Sequence, residues 1–204
     1  MLAKIIYTKY KLLQKIIIKT MNLFINEISE NWILILFNDN RKIISEKKIQ
    51  ILWNESSKLI WHIDTFLSEN HCEYNTLENL VVVNWPGSFT WVRTIVLAIN
   101  TINFITKKSI TPLSFFDLFD NYPIIKNSSR RDLFVKYQKS DNIEVVKNDD
   151  FKFPWEIYWD IWNNLLSEKI KTISNIDYTK IITNIEFQNN KLIEPLYIKK
   201  PSIS

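Results

Sequence analysis

A short loop between a strand-like segment and a helix-like segment has residue types that could bind an anion. The stretch NWPGSFTWVR, residues 84–93, follows the apolar run 80–83. Backbone N–H groups at a helix start carry partial positive charge, so such a loop can hold a phosphate group. It can equally be a structural turn, with Arg93 paired to an acid of a partner. The loop consists of Asn84, Trp85, Pro86, Gly87, Ser88, Phe89, Thr90, Trp91, Val92 and Arg93.

The histidines, the cysteine and the loop serine do not have the spacing of an enzyme or metal site. His62 and His71 are nine residues apart, which gives no helical pair. Cys72 is single, which excludes an intrachain disulfide and fits a reducing cytoplasm. Ser88 is not in a G-x-S-x-G nucleophile elbow. We therefore predict no catalytic residue, no metal and no cofactor.

Glycine is rare in this chain and tryptophan is common. The 204 residues include 1 Gly and 8 Trp, whereas average usage of about 7% glycine would give roughly 14. Trp85 and Trp91 lie in a turn of the kind that usually needs glycine, because glycine enters positive φ freely and lets backbones approach closely. The heavy use of Ile, Lys and Asn is compatible with AT-rich coding.

The apolar periodicity predicts an α/β fold. It indicates strands at 22–26, 32–39 and 42–52 as an antiparallel meander, a helix at 56–70, a strand at 80–83 and a helix from about 88 to 105. A short strand and helix at about 107–119 end this part. The order resembles the first lobe of the actin-like ATPase fold, in which a mixed sheet carries helices on its faces. A second, shortened lobe would begin at about Tyr122.

Glycine at positions 85 and 91 would make the loop resemble a family signature. The stretch would read NGPGSFTGVRT, similar to G-P-G-S-F-T-G-[VL]-R of the TsaB family. Glycine at Trp159 and Trp162 would likewise place Asp160 in a segment resembling that family's G-D-G-A. The C-terminal IEPLYIKKPSIS resembles the family's tail. We therefore hypothesise an alternative genetic code, in which UGA codons for glycine are shown here as tryptophan; a true Trp-rich surface is the other interpretation.

The resemblance implies a function in tRNA modification. TsaB proteins are non-catalytic partners of TsaD in the synthesis of N6-threonylcarbamoyladenosine, t6A, next to the anticodon. TsaD carries an H-x-x-x-H metal motif, which this chain lacks. The expected partners are a TsaD-like catalytic subunit and a TsaE-like ATPase, with a homodimer as an option when the partner is absent. The alternative is a small actin-fold enzyme that binds a nucleotide or an acyl-adenylate at loop 84–93.

The helix at 56–70 also resembles a TsaB segment, one that builds a helical bundle with a partner. The helix after the loop would join the same bundle. The other interpretation is that both helices only cover their own sheet. The expected partner-interface residues are Leu59, Ile60, Ile63, Phe66 and Leu67.

We expect three regions: a basic extension at 1–20, which its charge sets apart, and the two lobes that the actin-like resemblance implies, at 21–121 and 122–204. The first region holds five lysines and no acid. Its positive charge therefore exceeds the net charge of +4 of the whole chain. The rest is near neutral, so we expect contact with tRNA only through the complex. Lysines interrupt the apolar runs of residues 1–20 too often for a membrane span. We expect a start assigned too early, since Met21 precedes the first strand; a helix on a membrane surface is the alternative.

Overall fold

The computed structural model describes residues 20–28, 31–50, 58–87, 89–128, 131–147, 150, 158–160, 171–172 and 176–196. Residues 1–19 and 197–204 thus lie outside the described residues. The helices and strands are β1 Met21–Asn26, β2 Asn31–Asn38, β3 Ile43–Gln50, α1 Leu59–Glu69, β4 Leu77–Trp85, α2 Phe89–Thr106, β5 Ser109–Ser114, β6 Ile124–Asn127, β7 Asp132–Lys136, β8 Glu144–Lys147, β9 Tyr158–Asp160, β10 Lys171–Thr172 and α3 Tyr178–Asn184. None of the described helices is both long and apolar enough to cross a membrane.

The first sheet has five strands in the order β3-β2-β1-β4-β5. The predicted meander is confirmed, since β1–β2 and β2–β3 pair antiparallel. The pairs β1–β4 and β4–β5 are parallel, and parallel neighbours require crossover connections, which α1 and α2 supply. The predicted short helix after β5 is a 3₁₀ turn, Phe115–Leu118.

Strand β4 is longer than the sequence indicated. It begins at Leu77, not at residue 80, and ends at Trp85. The added residues alternate between buried Leu77 and exposed Glu78. An apolar run marks only the part of a strand that is buried on both faces, so the pattern missed the half-exposed start.

Both faces of the first sheet are buried along β1, β2 and most of β4. One face carries Leu23, Ile25, Leu34 and Val82, which pack against α1 and α2. The opposite face carries Phe24, Ile33, Ile35, Phe37 and Val83, which pack against Phe115 and Phe116 of the 3₁₀ turn and against apolar residues of later segments. The alternation follows from the two-residue period of a strand.

The second sheet is smaller and has the order β10-β9-β6-β7-β8. Its pairs β6–β7 and β7–β8 are antiparallel, and β6–β9 and β9–β10 are parallel. Ile124 of β6 and Phe134 of β7 belong to the apolar cluster on the second face of the first sheet. The two sheets are therefore joined by a shared core.

The last described segment returns to the first sheet. Ile182 and Ile185, in and just after α3, join the same apolar cluster as Phe24. Further along, the backbone of Ile110 in β5 donates to the carbonyl of Asn190 at 3.0 Å. Ile193 is buried in the core under α2. Residues 176–196 thus pack on the first lobe, although the sequence grouped them with the second region.

Asn100 of α2 clamps this C-terminal segment. Its Nδ2 donates to the Ile193 carbonyl at 2.8 Å, and its Oδ1 accepts from the Ile193 N–H at 3.0 Å. Asn103 one turn later donates to the Lys191 carbonyl. These hydrogen bonds pair backbone N–H and C=O groups of the C-terminal segment, which lies outside the regular helices and strands there.

Asn100→Ala is therefore expected to lower the free energy of unfolding by about 1–3 kcal/mol, because it leaves the backbone of Ile193 without its partners. Urea denaturation followed by circular dichroism measures this change. The matched control is Thr101→Ala on the exposed side of the same helix, which is expected to change stability by less than about 0.5 kcal/mol. Equal losses for the two variants would contradict the clamp.

Candidate functional site

The candidate loop lies where β4 ends and α2 begins. Asn84 is buried, with 4% of its surface exposed, and Trp85 is the last residue of β4. The Trp85–Pro86 peptide bond is cis. Helix α2 begins at Phe89, so Thr90 already lies in its first turn, and Ser88, the preceding position, is outside the described residues. The loop is thus a tight connection between a buried strand and a covering helix.

Gly87 is the point of closest approach in this connection. A Cβ atom at this position would lie 3.2 Å from Val92 Cγ2 and 3.7 Å from Ile28 Cγ2. Val92 is buried on the inner side of α2, so it has little room to move. The helix therefore sits so close to the end of the sheet that a side chain at Gly87 would displace Val92.

The expectation that Trp85 or Trp91 would need positive φ is wrong. Among the described non-glycine residues, those with positive φ are Arg41, His71 and Lys107, so neither tryptophan has it. Gly87 does not have positive φ either. The reason is that Trp85 completes an extended strand and Trp91 lies within a helix, both of which have ordinary negative φ. Only at Gly87 does the chain lie so close to its neighbours that a side chain would be crowded.

Trp91 has a specific packing partner. Its ring lies edge-on to the ring of Trp32, with centroids 5.0 Å apart, and Trp32 is fully buried in β2. His62 of α1 lies edge-on to the same Trp32 ring at 6.1 Å. An aromatic pair of this geometry stabilises the start of α2 against the sheet. At position 91, the observed packing thus favours a true tryptophan over a recoded glycine.

Four of the five expected interface residues face the protein's own core. Leu59, Ile63, Phe66 and Leu67 are all buried in the cluster between α1 and the first sheet. Ile60 alone of the five is exposed. The apolar periodicity of this helix therefore reflects packing within the protein.

The outward faces of α1 and α2 carry large apolar side chains that the sequence analysis did not single out. Leu97 is 70% exposed, Phe104 73% and Ile105 76% on α2, and Trp61 is 59% exposed on α1. Arg93 is exposed on the same helix, four residues before Leu97. We call Ile60, Trp61, Leu97, Phe104 and Ile105 the outer helical surface.

A lysine links the two sheets near the loop. Lys126 of β6 is buried, and its Nζ donates to the Ile28 carbonyl at 3.0 Å. The same Nζ lies 4.3 Å from the centroid of the Phe115 ring. Ile28 in turn lies against Gly87. The second sheet is therefore linked to the loop through Ile28. Sequence reasoning missed Lys126, although a lysine inside the apolar run PIIKN was a usable signal.

The remaining predicted residues do not gather around the loop. His62 is buried beside Trp32 and Trp61, whereas His71 is exposed with φ of 54°. No group of three or more His, Cys, Asp or Glu that could hold a metal occurs within the described part of the chain. Trp159 and Asp160 lie in β9, where Asp160 is opposite Lys126 in the strand register. Trp162 lies outside the described residues.

Gly87→Ala is expected to lower the free energy of unfolding by about 1 kcal/mol, because the new methyl group overlaps Val92. Val92→Ala removes the opposing methyl groups and is expected to cost roughly 1–3 kcal/mol through the cavity it leaves. In the double variant, Gly87→Ala should cost at least about 0.5 kcal/mol less than it does alone. Urea denaturation of the four proteins measures this coupling, and strictly additive losses would show that the two residues do not compete for space.

The codons at the Trp positions test the recoding hypothesis directly. If the recoding hypothesis holds, we expect TGA at positions 85, 91, 159 and 162, and the packing of Trp91 on Trp32 makes position 91 the critical case. Sequencing the coding DNA gives the answer. TGG at both 85 and 91 would contradict an alternative genetic code for this chain.

Comparison with known proteins identifies the fold. No protein-family model and no curated protein sequence matches the chain. Among solved structures, it is similar to YeaZ from Pseudomonas aeruginosa, with a TM-score of 0.57 and 12% identity over 68% of this chain and 75% of that one. It is also similar to an uncharacterised protein described as resembling peptidase YEAZ from Pseudomonas aeruginosa, with a TM-score of 0.67 and 10% identity over 88% of this chain and 100% of that one. The chain therefore has the actin-like α/β fold of the YeaZ (TsaB) proteins, two lobes with mixed sheets and a small second lobe.

Proposed function

We propose that this chain is an accessory subunit that binds a TsaD-like catalytic subunit and supports t6A modification of tRNA. The observation that carries the proposal is the outer helical surface on a YeaZ-like fold. The signature loop, in this proposal, is a structural turn that positions α2.

The outer helical surface has the composition of a protein-binding site. Trp61, Leu97, Phe104 and Ile105 are each more than half exposed. Aromatic and large aliphatic side chains are enriched at the centres of interfaces. The outward positions 97 and 104 are two helical turns apart, so they form one stripe along α2.

Arg93 extends this stripe at its N-terminal end. It is exposed and lies one turn before Leu97. A guanidinium beside an apolar stripe can pair with a carboxylate at the rim of an interface, where charges mainly set orientation and association rate. A partner with an apolar helical face would therefore fit this surface.

The contact between the two sheets supports an accessory role over the alternative of a nucleotide-binding enzyme. A nucleotide held between two lobes needs open space between them. Here Lys126 of the second sheet reaches the Ile28 carbonyl of the first lobe, and apolar residues of both sheets share one core. The lobes are thus packed against each other next to loop 84–93.

Leu97→Asp combined with Phe104→Asp is expected to weaken binding of the TsaD-like subunit from the same organism by at least about 30-fold, since each apolar anchor at an interface centre commonly contributes about 2 kcal/mol or more. Isothermal titration calorimetry measures the dissociation constant. The matched control is Val145→Asp, an exposed apolar residue on β8 of the second sheet, which should leave the affinity unchanged.

Unchanged affinity for the double variant, with Val145→Asp equally neutral, would contradict this docking surface. Absence of any complex with the unaltered chain would contradict the function itself. The functional readout is the t6A content of tRNA in a reconstituted reaction, which should require both subunits. Micromolar binding of ATP by this chain alone would favour the enzyme alternative.

A further inference from the structure

Three neighbouring strands of the first sheet end in buried polar groups without hydrogen-bond partners among the described residues. The groups are Nε1 of Trp32, both carboxyl oxygens of Glu27 and Oδ1 of Asn84. Glu27 is 3% exposed, Asn84 4%, and Trp32 fully buried. Buried polar atoms are almost always paired, because leaving one unpaired costs about 1–3 kcal/mol. Three such residues in one region therefore call for a common explanation.

The strand register places the three residues in one row. Asn26 of β1 pairs with Ile33 of β2 and with Val83 of β4. Glu27 follows the last residue of β1, Trp32 directly precedes Ile33, and Asn84 directly follows Val83, so the three residues lie at the same end of three neighbouring strands. Neighbouring strands are about 4.8 Å apart. Trp32 lies on the face that α1 and α2 cover, together with Ile25, Leu34 and Val82.

The donors and acceptors of this row match only if Glu27 is uncharged. An ionised carboxylate accepts hydrogen bonds but donates none, and Asn84 Oδ1 also only accepts. A carboxylic acid has one O–H donor and one carbonyl acceptor. It can donate to Asn84 Oδ1 and accept from Trp32 Nε1–H, which would satisfy the whole row.

We propose that Glu27 is a neutral carboxylic acid that bridges Trp32 and Asn84, and that its ionisation loosens the start of α2. Asn84 leads directly into the turn at Gly87, and Trp32 supports Trp91 in the first turns of α2. The bridge therefore holds both ends of the signature loop. This inference stands apart from the proposed function, because it concerns the loop and not the partner surface.

The electrostatic surroundings support a neutral Glu27. Burial raises the pKa of its carboxyl well above the ordinary value of 4.5, and no neighbouring charge counters this among the described residues. The titratable or charged groups on the elements packed around the row are His62 of α1, edge-on to Trp32, Arg93 of α2, which is exposed, and Lys126 of β6, which donates to Ile28.

The sign of the pH dependence follows from the raised pKa. Between pH 4.5 and the folded-state pKa, the folded protein keeps a proton on Glu27 that the unfolded chain has lost. Stability contributed by the bridge is therefore complete below about pH 4.5 and is lost as pH rises. The unfolding constant should increase up to tenfold for each pH unit in this window, a change of about 1.36 kcal/mol per unit.

The test compares urea denaturation of the full chain with that of Glu27→Gln from about pH 5 to about pH 8. Glutamine has the shape of the neutral acid with one donor and one acceptor, so the variant should fold and lose the steep pH dependence. Glu27→Ala should be less stable than the unaltered chain at pH 5, because it leaves Trp32 and Asn84 unpaired. The matched control is Glu78→Gln, an exposed acid on β4, which should retain the pH dependence of the unaltered chain.

Three outcomes would overturn the proposal. The first is an identical pH dependence for the unaltered chain and Glu27→Gln. The second is failure of Glu27→Gln to fold at pH 5, since a neutral isostere should preserve the bridge. The third is a rise in melting temperature on addition of millimolar MgCl₂ or CaCl₂ that Glu27→Gln abolishes, which would make the row a cation site. Loosening of α2 can be measured by hydrogen exchange of the backbone amides at residues 84–92. An exchange rate that rises with pH by more than its intrinsic rate does, and only in the unaltered chain, would support it.

Discussion

Burial of the first sheet on both faces is the constraint on which the rest of the structure depends. Leu23, Phe24 and Ile25 are consecutive residues of β1, and all three are fully buried. Because consecutive side chains in a strand point to opposite faces, one covering layer cannot shield them all. Helices α1 and α2 cover one face, and the 3₁₀ turn, the second sheet and the C-terminal segment cover the other. The small second sheet thus shares a core with the first sheet.

Close packing at the top of this sheet determines the form of the candidate site. Helix α2 must begin immediately after β4 to cover the sheet, and this requires Gly87, Val92 and Ile28 to meet at van der Waals distance. The same packing buries the polar row of Glu27, Trp32 and Asn84. The side chains of this loop make contacts within the protein. This favours a structural turn over a ligand-binding loop.

The two faces of α1 and α2 have different roles. Their inward residues pack in the core, where Ile63 and Ile99 are fully buried. Their outward faces carry Trp61, Leu97 and Phe104, each more than half exposed. Exposing large apolar groups lowers solubility, so their presence favours a second protein that covers them. The fold and the proposed partner surface are in this sense built on the same pair of helices.

The sequence by itself determined the order of strands and helices and the meander of the first lobe, because a period of two and a period near 3.6 are local properties of the chain. It also indicated the actin-like fold, through motifs rather than through overall similarity. The tertiary structure alone decided which apolar residues face outward, since Ile60 and Ile63 are indistinguishable by type. It likewise decided that positions 85 and 91 need no positive φ, and that Glu27 and Lys126 are buried. Burial of such residues depends on contacts between segments as distant as residues 28 and 126, and no local pattern encodes those contacts.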